Sequence, residues 1–341
     1  MENVAKRRRR TITVFAALFI VLIIFMILDL AQAFIPLSFE EAFWALLGTG
    51  SETNIIIVWK MNLPRVIMAC LIGAGLAISG GVMQALFRNP MASPYILGLS
   101  SGASLGAAIG LTFTISWIPS LLLIPLLAFI TCMATLFLVY SIAHVGGRVP
   151  TETLLLAGIA VGSFLSALVS LLTYLAGDQM QEIVYWTMGN LTNASWNNIM
   201  IVAPLITAGC LIMLSSSRDL NAMMLGDAHA MDLGVEVKKI RLQLLVASAL
   251  VTAAAVAYVG VIGFVGLVVP HILRIMIGPN NRALLPATLL GGAAFLMMCD
   301  YISRVIAPSL GILPIGIMTA LIGAPYFIYL LRRRRSEMGW D

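Results

Sequence analysis

Gly98-Leu99-Ser100-Ser101-Gly102 has the Gly-x-Ser-x-Gly spacing of a nucleophile elbow. Such an elbow needs a strand before the serine, a helix after it, and a histidine and an acid within reach. The three histidines are His144, His229 and His271, and no spacing ties any of them to Ser100. The motif opens an apolar run, where small residues let helices approach closely. A membrane-embedded serine hydrolase using Ser100 is therefore a rival reading, and helix packing accounts for the motif better. His271 follows Pro270 near the end of another apolar run and reads as a packed or hydrogen-bonded residue. No Gly-x-x-x-x-Gly-Lys-Ser/Thr occurs, so this chain cannot cradle nucleotide phosphates in that manner. Cys70, Cys132, Cys210 and Cys299 all lie in apolar runs without a Cys-x-x-Cys pair, and read as small buried hydrophobes. No cofactor or metal ion is expected in this chain.

One charged stretch, Arg218–Arg241, interrupts the apolar runs. Asp227 can cap a helix there, its carboxylate accepting the free N–H groups of a first turn. Gly234 can end that helix, because glycine enters the left-handed region cheaply. Ala228, Ala230 and Met231 are then available for contact, and a second short helix, Asp219–Leu225, fits before Gly226. The pattern alone leaves two readings open: a solvated loop with accidental caps, or a docking element.

The elements that must carry these residues follow from composition. Of 341 residues, 60% are hydrophobic and only 10% charged, against roughly 25% charged in soluble domains. The fold class is an all-α polytopic membrane protein. A spanning helix needs about 20 apolar residues, and ten segments approach that: Ile12–Leu28, Val66–Leu86, Tyr95–Leu111, Leu121–Ala143, Thr153–Leu175, Ile199–Leu214, Ile240–Ala257, Ile262–Ile277, Leu284–Cys299 and Leu313–Leu331. The eighth is expected to be shortened by Pro270. Lys6–Arg10, the apolar run after it and Ala31-Gln32-Ala33 imitate a signal peptide, but the run exceeds a usual signal core and reads as an uncleaved first span. Basic residues mark cytoplasmic loops. With both termini inside, only Lys60, Arg65 and Arg304 of the 20 Lys and Arg fall outside. That assigns a basic tail 1–11, the segment 218–241 and a tail 332–341 to the cytoplasm of a single membrane domain, 1–341. The net charge of +5 reflects this bias and implies no nucleic acid. Gly73–Ala103 and Gly260–Ala293 share a glycine-rich span, a basic turn with proline and a second glycine-rich span, a weak internal echo. Span interiors hold almost no carboxylates, which weakens the alternative of a self-contained secondary transporter.

Four stretches together resemble one known family. Arg88-Asn-Pro-Met-Ala-Ser-Pro-Tyr-Ile-Leu-Gly-Leu-Ser-Ser-Gly-Ala103 is similar to a signature of the permeases that import iron–siderophore complexes, haem and cobalamin. So are Gly263-Phe-Val-Gly-Leu-Val-Val-Pro-His-Ile-Leu-Arg274 and Leu313-Pro-Ile-Gly-Ile-Met-Thr-Ala-Leu-Ile-Gly-Ala-Pro-Tyr-Phe327. Leu225-Gly-Asp-Ala-His-Ala-Met-Asp-Leu-Gly234 is similar to the family's cytoplasmic coupling segment. The resemblance covers about residues 12–331.

This resemblance implies a cobalamin-importer-permease-like subunit of about ten transmembrane helices, paired as a homodimer in the plasma (inner) membrane. Two cytoplasmic ATPase subunits would bind ATP and Mg, and an external substrate-binding protein would deliver a metal chelate for alternating access. Leu225, Gly226, Asp227, Ala228, His229, Ala230, Met231, Asp232, Leu233 and Gly234 match the ATPase-coupling segment. Arg65, after Leu63-Pro64, and Arg304, four residues after Asp300, match positions that pair with acids of the binding protein. Gly158 and Gly162, four apart, and then Ser166 give the fifth span a small face that lets a neighbour approach closely; in the family the passage is lined by the fifth span and the segment after it, which here brings in Gly158, Gly162, Ser166, Tyr174 and Met180, with Met188 beside them. The sequence does not name the cargo.

Overall fold

The computed structural model describes residues 2–31, 37–113, 119–144, 149–306, 311 and 313–337. Gln32 and Ala33 of the signal-like site, most of the basic turn before Pro150 and residues 338–341 of the C-terminal tail lie outside the described residues. The first helix, α1 (Glu2–Ala31), takes the basic run Lys6–Arg10 into its opening turns, since Lys and Arg are good helix formers. A short α2 (Phe39–Leu46) follows, closed at its start by a capping box between Ser38 and Glu41. α3 (Glu52–Ile56) runs through a π turn, Ile57–Asn62, into α4 (Leu63–Leu86). The second span therefore begins earlier than its apolar run. Pro64 lacks the N–H that would bond the carbonyl of Lys60, and the ladder widens into the π turn before it.

Next come α5 (Leu99–Thr112), α6 (Ser120–Ala143), α7 (Thr151–Leu175), α8 (Met180–Thr187) and α9 (Trp196–Ser215). The charged loop folds as α10 (Ser217–Met224) and α11 (Asp227–Asp232). Then follow α12 (Val237–Val259), α13 (Val265–Ile277), α14 (Asn281–Val305) and α15 (Ile315–Glu337), which draws Arg332 into its last turns. Among the described residues, seven helices are long and apolar enough to cross a bilayer, and three shorter apolar ones lie within α5, α13 and α15. These match the ten expected spans in position.

At 14 and 13 residues, α5 and α13 reach only about 20 Å at 1.5 Å per residue, short of the roughly 30 Å hydrocarbon core. The shortening of α13 lies at its start, not at Pro270, which sits inside the helix. The chain is unwound from Gly260 to Phe264, with φ of +72° and +65° at those two residues. Irregular backbone at membrane depth survives only where other groups satisfy it. Here the Tyr95 hydroxyl donates to the Ile262 carbonyl at 2.9 Å, and Asn190 N donates to the Val259 carbonyl at 2.7 Å. Pro270 leaves the Gly266 carbonyl without its helical donor, and the Gln84 amide reaches Gly266 and Leu267 carbonyls at 3.5 and 3.0 Å.

α4 is the buried centre, packed on α14, α13, α12 and α9. Its contact with α13 is backbone on backbone: a Cβ on Gly80 would stand 1.7 Å from the Gly266 carbonyl oxygen. The two echoing glycine-rich pieces thus pack directly on each other. α1 lies at the periphery and leaves much of its apolar surface exposed.

Candidate functional site

Three polar features stand out in this apolar molecule: two ion clusters at opposite ends of α4, and a hydroxyl-lined recess between α5 and α7.

The first cluster holds the loop. The cap of α11 is Gly226, with no side-chain cap, and Asp227 is the first helical residue. The expected capping role of Asp227 is therefore corrected. Its carboxylate bridges two arginines instead, Arg88 Nη2 at 2.5 Å and Arg241 Nη2 at 2.7 Å. A guanidinium is a stronger donor to a carboxylate than a neutral backbone N–H, so the side chain turns away from its own helix. Arg88 also donates through Nε to the Met223 carbonyl at 3.0 Å, and Arg241 donates to the Val149 carbonyl at 3.5 Å. One carboxylate thereby joins the end of α4, the approach to α7, α10–α11 and α12.

Arg88 occupies an unusual backbone position. Arg88 N bonds the Ala85 carbonyl and Asn89 N bonds the Gln84 carbonyl, a Schellman ending in which glycine is the usual left-handed residue. Arg88 has φ +49°, which costs a non-glycine residue about 1–2 kcal/mol. Strain of this kind persists where surrounding contacts enforce it, and the bonds to Asp227 and Met223 are those contacts.

Gly234 terminates α11 as expected. It sits at φ +84°, with Gly234 N on the Met231 carbonyl and Val235 N on the Ala230 carbonyl. One expected contact residue changes side: Ala230 is fully buried against the bundle. Leu225, Met231 and Leu233 carry the exposed apolar surface, at 68%, 59% and 66% exposure. Ala228, His229 and Asp232 are exposed beside them.

The second cluster is buried. Arg65 on α4 grips Asp300 on α14 with both nitrogens, Nε–Oδ2 2.9 Å and Nη2–Oδ1 2.7 Å. Arg304, one turn beyond, bonds Asp300 at 2.9 Å and also pairs with Asp29 at the end of α1. Two cations and two anions thus form a neutral knot across three helices. Arg65 and Arg304 are not free surface cations, as the sequence suggested. The Asp300–Arg304 spacing is a helical i, i+4 pair that pattern reading can detect. Asp29 carries no such signal, because its partner lies 275 residues away.

The recess, about 330 Å³, is lined by Ser100, Ser101, Ser104, Ser166, Ser170 and Thr187, with Val169 and Val261. Ser101 and Ser166 hydroxyls meet at 2.9 Å across it. Val261 belongs to the unwound segment before α13, so the recess is where irregular backbone meets a polar cavity. Ser100 of the Gly-x-Ser-x-Gly motif faces hydroxyls and valines, and among the described residues no imidazole or carboxylate lines the recess with it. Gly158 and Gly162 lie outside this recess. They are buried against the turn before α5, where a Cβ on Gly158 would stand 2.5 Å from the Ile96 carbonyl oxygen. Their role is to bring α7 close enough for Ser166 to reach the recess. Tyr174 and Met180 are exposed near the far end of α7 and the start of α8, and Met188 is half-buried.

The sequence matches the FecCD transport family over residues 21–333. It is 43% identical over 285 residues to the cobalamin import system permease protein BtuC of Halobacterium salinarum, covering 83% of this chain and 75% of that one. It is 40% identical over 321 residues to the hemin transport system permease protein HmuU of Yersinia pestis, covering 93% and 95%. In structure it is similar to a metal-chelate type ABC transporter in an inward-facing conformation, with TM-score 0.82 and 31% identity over 94% of this chain and 99% of the other.

Proposed function

This chain belongs to the FecCD transport family, and from that membership we propose how its geometry serves transport. It is the permease subunit of an ATP-binding-cassette importer of the metal-chelate type. Two copies form the passage, a separate ATPase sits under each, and an external binding protein delivers the chelate. The loop carrying α10 and α11 and both termini lie on the cytoplasmic side, by the bias of basic residues.

The observation that carries the mechanism is α11 itself. It is anchored by the Asp227 bridge and a Schellman ending, yet presents Leu225, Met231 and Leu233 outward. An apolar tip on a fixed mount suits a groove in a partner protein. Closure of the ATPases pushes this tip, and the Asp227 bridge passes the push to α4 and α12. Those helices pack on the unit that lines the recess, so the passage changes its access. At the other end, the sealed Arg65–Asp300–Arg304–Asp29 knot holds α1, α4 and α14 as a fixed platform beneath the binding protein.

Proteoliposomes test this. The chain with its ATPase and binding protein takes up a metal chelate only when ATP is supplied. Uptake by the chain alone, driven by an ion gradient, would instead establish a secondary transporter.

A further inference from the structure

A third basic feature lies where α1 crosses the end of α13. Lys6, Arg7 and Arg10 of α1 face Ile275–Gly278 across a cavity of about 300 Å³. The walls are built by direct contact. Arg10 Nη2 donates to the Ile275 carbonyl at 3.4 Å, and Arg7 rests on Gly278 so closely that a Cβ there would stand 2.5 Å from its Nη2. Gly278 has φ +90°, a left-handed conformation that calls for glycine.

The donor count of the cavity is one-sided. Lysine carries three N–H donors, arginine five, and neither accepts. The contact to Ile275 uses one of them, and among the described residues no acid lines the cavity to take the rest. Such a cavity suits an anion with several acceptor oxygens, held by charge-assisted bonds. The surface that continues from it identifies the kind of anion. Beyond Arg10, the side of α1 that carries Lys6 exposes Ile20, Ile24 and Ile27 to the outside of the bundle. A phosphate group at the cations with acyl chains along that face matches both halves.

We propose that the α1–α13 cavity is a binding site for the phosphate headgroup of an anionic phospholipid, held by Lys6, Arg7 and Arg10. The bound lipid ties α1 to α13, the helix whose start is unwound beside the recess. The site does not depend on the identity of the cargo.

Native mass spectrometry of the full-length chain with its partners, released from mixed phosphatidylglycerol and phosphatidylcholine nanodiscs, tests it. Phosphatidylglycerol is retained over phosphatidylcholine by about tenfold or more at moderate salt. The triple variant Lys6→Gln, Arg7→Gln, Arg10→Gln loses that preference. The double variant Arg8→Gln, Arg9→Gln changes charge on the same helix outside the cavity and keeps it. Arg7→Gln alone, which spares the Arg10 contact to Ile275, lowers it several-fold without altering thermal stability in phosphatidylcholine. Equal losses in the triple and double variants reduce the effect to diffuse attraction and overturn the site. Equal retention of both lipids in the unaltered chain overturns it too. Displacement of phosphatidylglycerol by millimolar inorganic phosphate assigns the cavity to the free anion and overturns the lipid reading.

Discussion

The two ion clusters at the ends of α4 use the same residue types and differ in their surroundings. Arg65 and Arg88 are separated by roughly 35 Å of helix at 1.5 Å per residue. The Arg65–Asp300–Arg304–Asp29 knot is sealed, with arginine side chains 11% and 6% exposed and the carboxylates at 1% or less. On the Arg88 side the bridge is open, with Arg88 and Asp227 at 45% and 40%, while Arg241 is 15% exposed. Removing one partner of a buried pair leaves an uncompensated charge and costs about 3–5 kcal/mol, whereas an exposed pair contributes about 0–1 kcal/mol. The sealed knot therefore fixes three helices to one another. The open bridge holds the loop in place and can exchange partners at little cost. One end of α4 is an anchor and the other is a joint.

The largest expected effect breaks the anchor. Asp300→Ala strands Arg65 and should lower stability by about 3–5 kcal/mol, read as thermal unfolding of the detergent-solubilised chain. The double variant Arg65→Met, Asp300→Leu should cost less than that single change, because no charge is left without a partner. Equal losses in both would mean that packing, not charge, holds this end.

The next effect is confined to the joint. Ala230→Pro removes the bond from Ala230 N to the Gly226 carbonyl and costs about 3 kcal/mol locally. Uptake and co-purification of the ATPase should be lost while membrane insertion is unchanged. Normal uptake would mean that α11 is only a connection.

A smaller and sharper effect comes from Arg88→Gly. Glycine relieves the left-handed strain, about 1–2 kcal/mol, while the lost exposed pair removes about 0–1 kcal/mol. Stability should stay within about 1 kcal/mol of the unaltered chain, but chelate moved per ATP hydrolysed should fall severalfold. A stable variant with normal coupling would show that the strain at Arg88 serves no motion.

The smallest effect marks the fully solvated limit. Glu41 accepts from Ser38 N and Oγ at 2.8 and 2.7 Å, and these bonds hold its carboxyl below the usual carboxylate range. A depressed folded value means the stabilisation is present above 4.5 and fades as pH falls below it. Glu41→Gln should erase this acid-side difference in thermal unfolding and leave neutral pH nearly unchanged. An equal loss at neutral pH would show that the capping geometry matters more than the charge.

Much of the architecture was legible because it is written locally. The apolar runs placed ten helices, and Gly226 and Gly234 bracketed α11 through backbone conformation that only nearby residues decide. What was not legible depends on distant partners. Asp227 reads as a cap from its neighbours alone, whereas it bridges Arg241, 14 residues on, and Arg88, 139 residues back. Arg65 and Arg304 read as outward cations because sequence does not show that Arg65 reaches Asp300, 235 residues on, or that Arg304 reaches Asp29, 275 residues back. Gly158 and Gly162 read from their spacing as a small packing face, and only the family resemblance added passage lining. Only the fold shows them pressed on the turn before α5, leaving Ser166 to face the recess.

The Asp227 bridge as a coupling joint is tested most directly by a double-mutant cycle of Arg88→Ala and Asp227→Ala. The readout is uptake per ATP hydrolysed in proteoliposomes containing the ATPase and the binding protein. Residues that act as one unit are non-additive. Each single variant should keep ATP hydrolysis and lose most of its coupling, and the double variant should be no worse than either. Normal coupling in both single variants, or losses that simply multiply in the double, would contradict the joint.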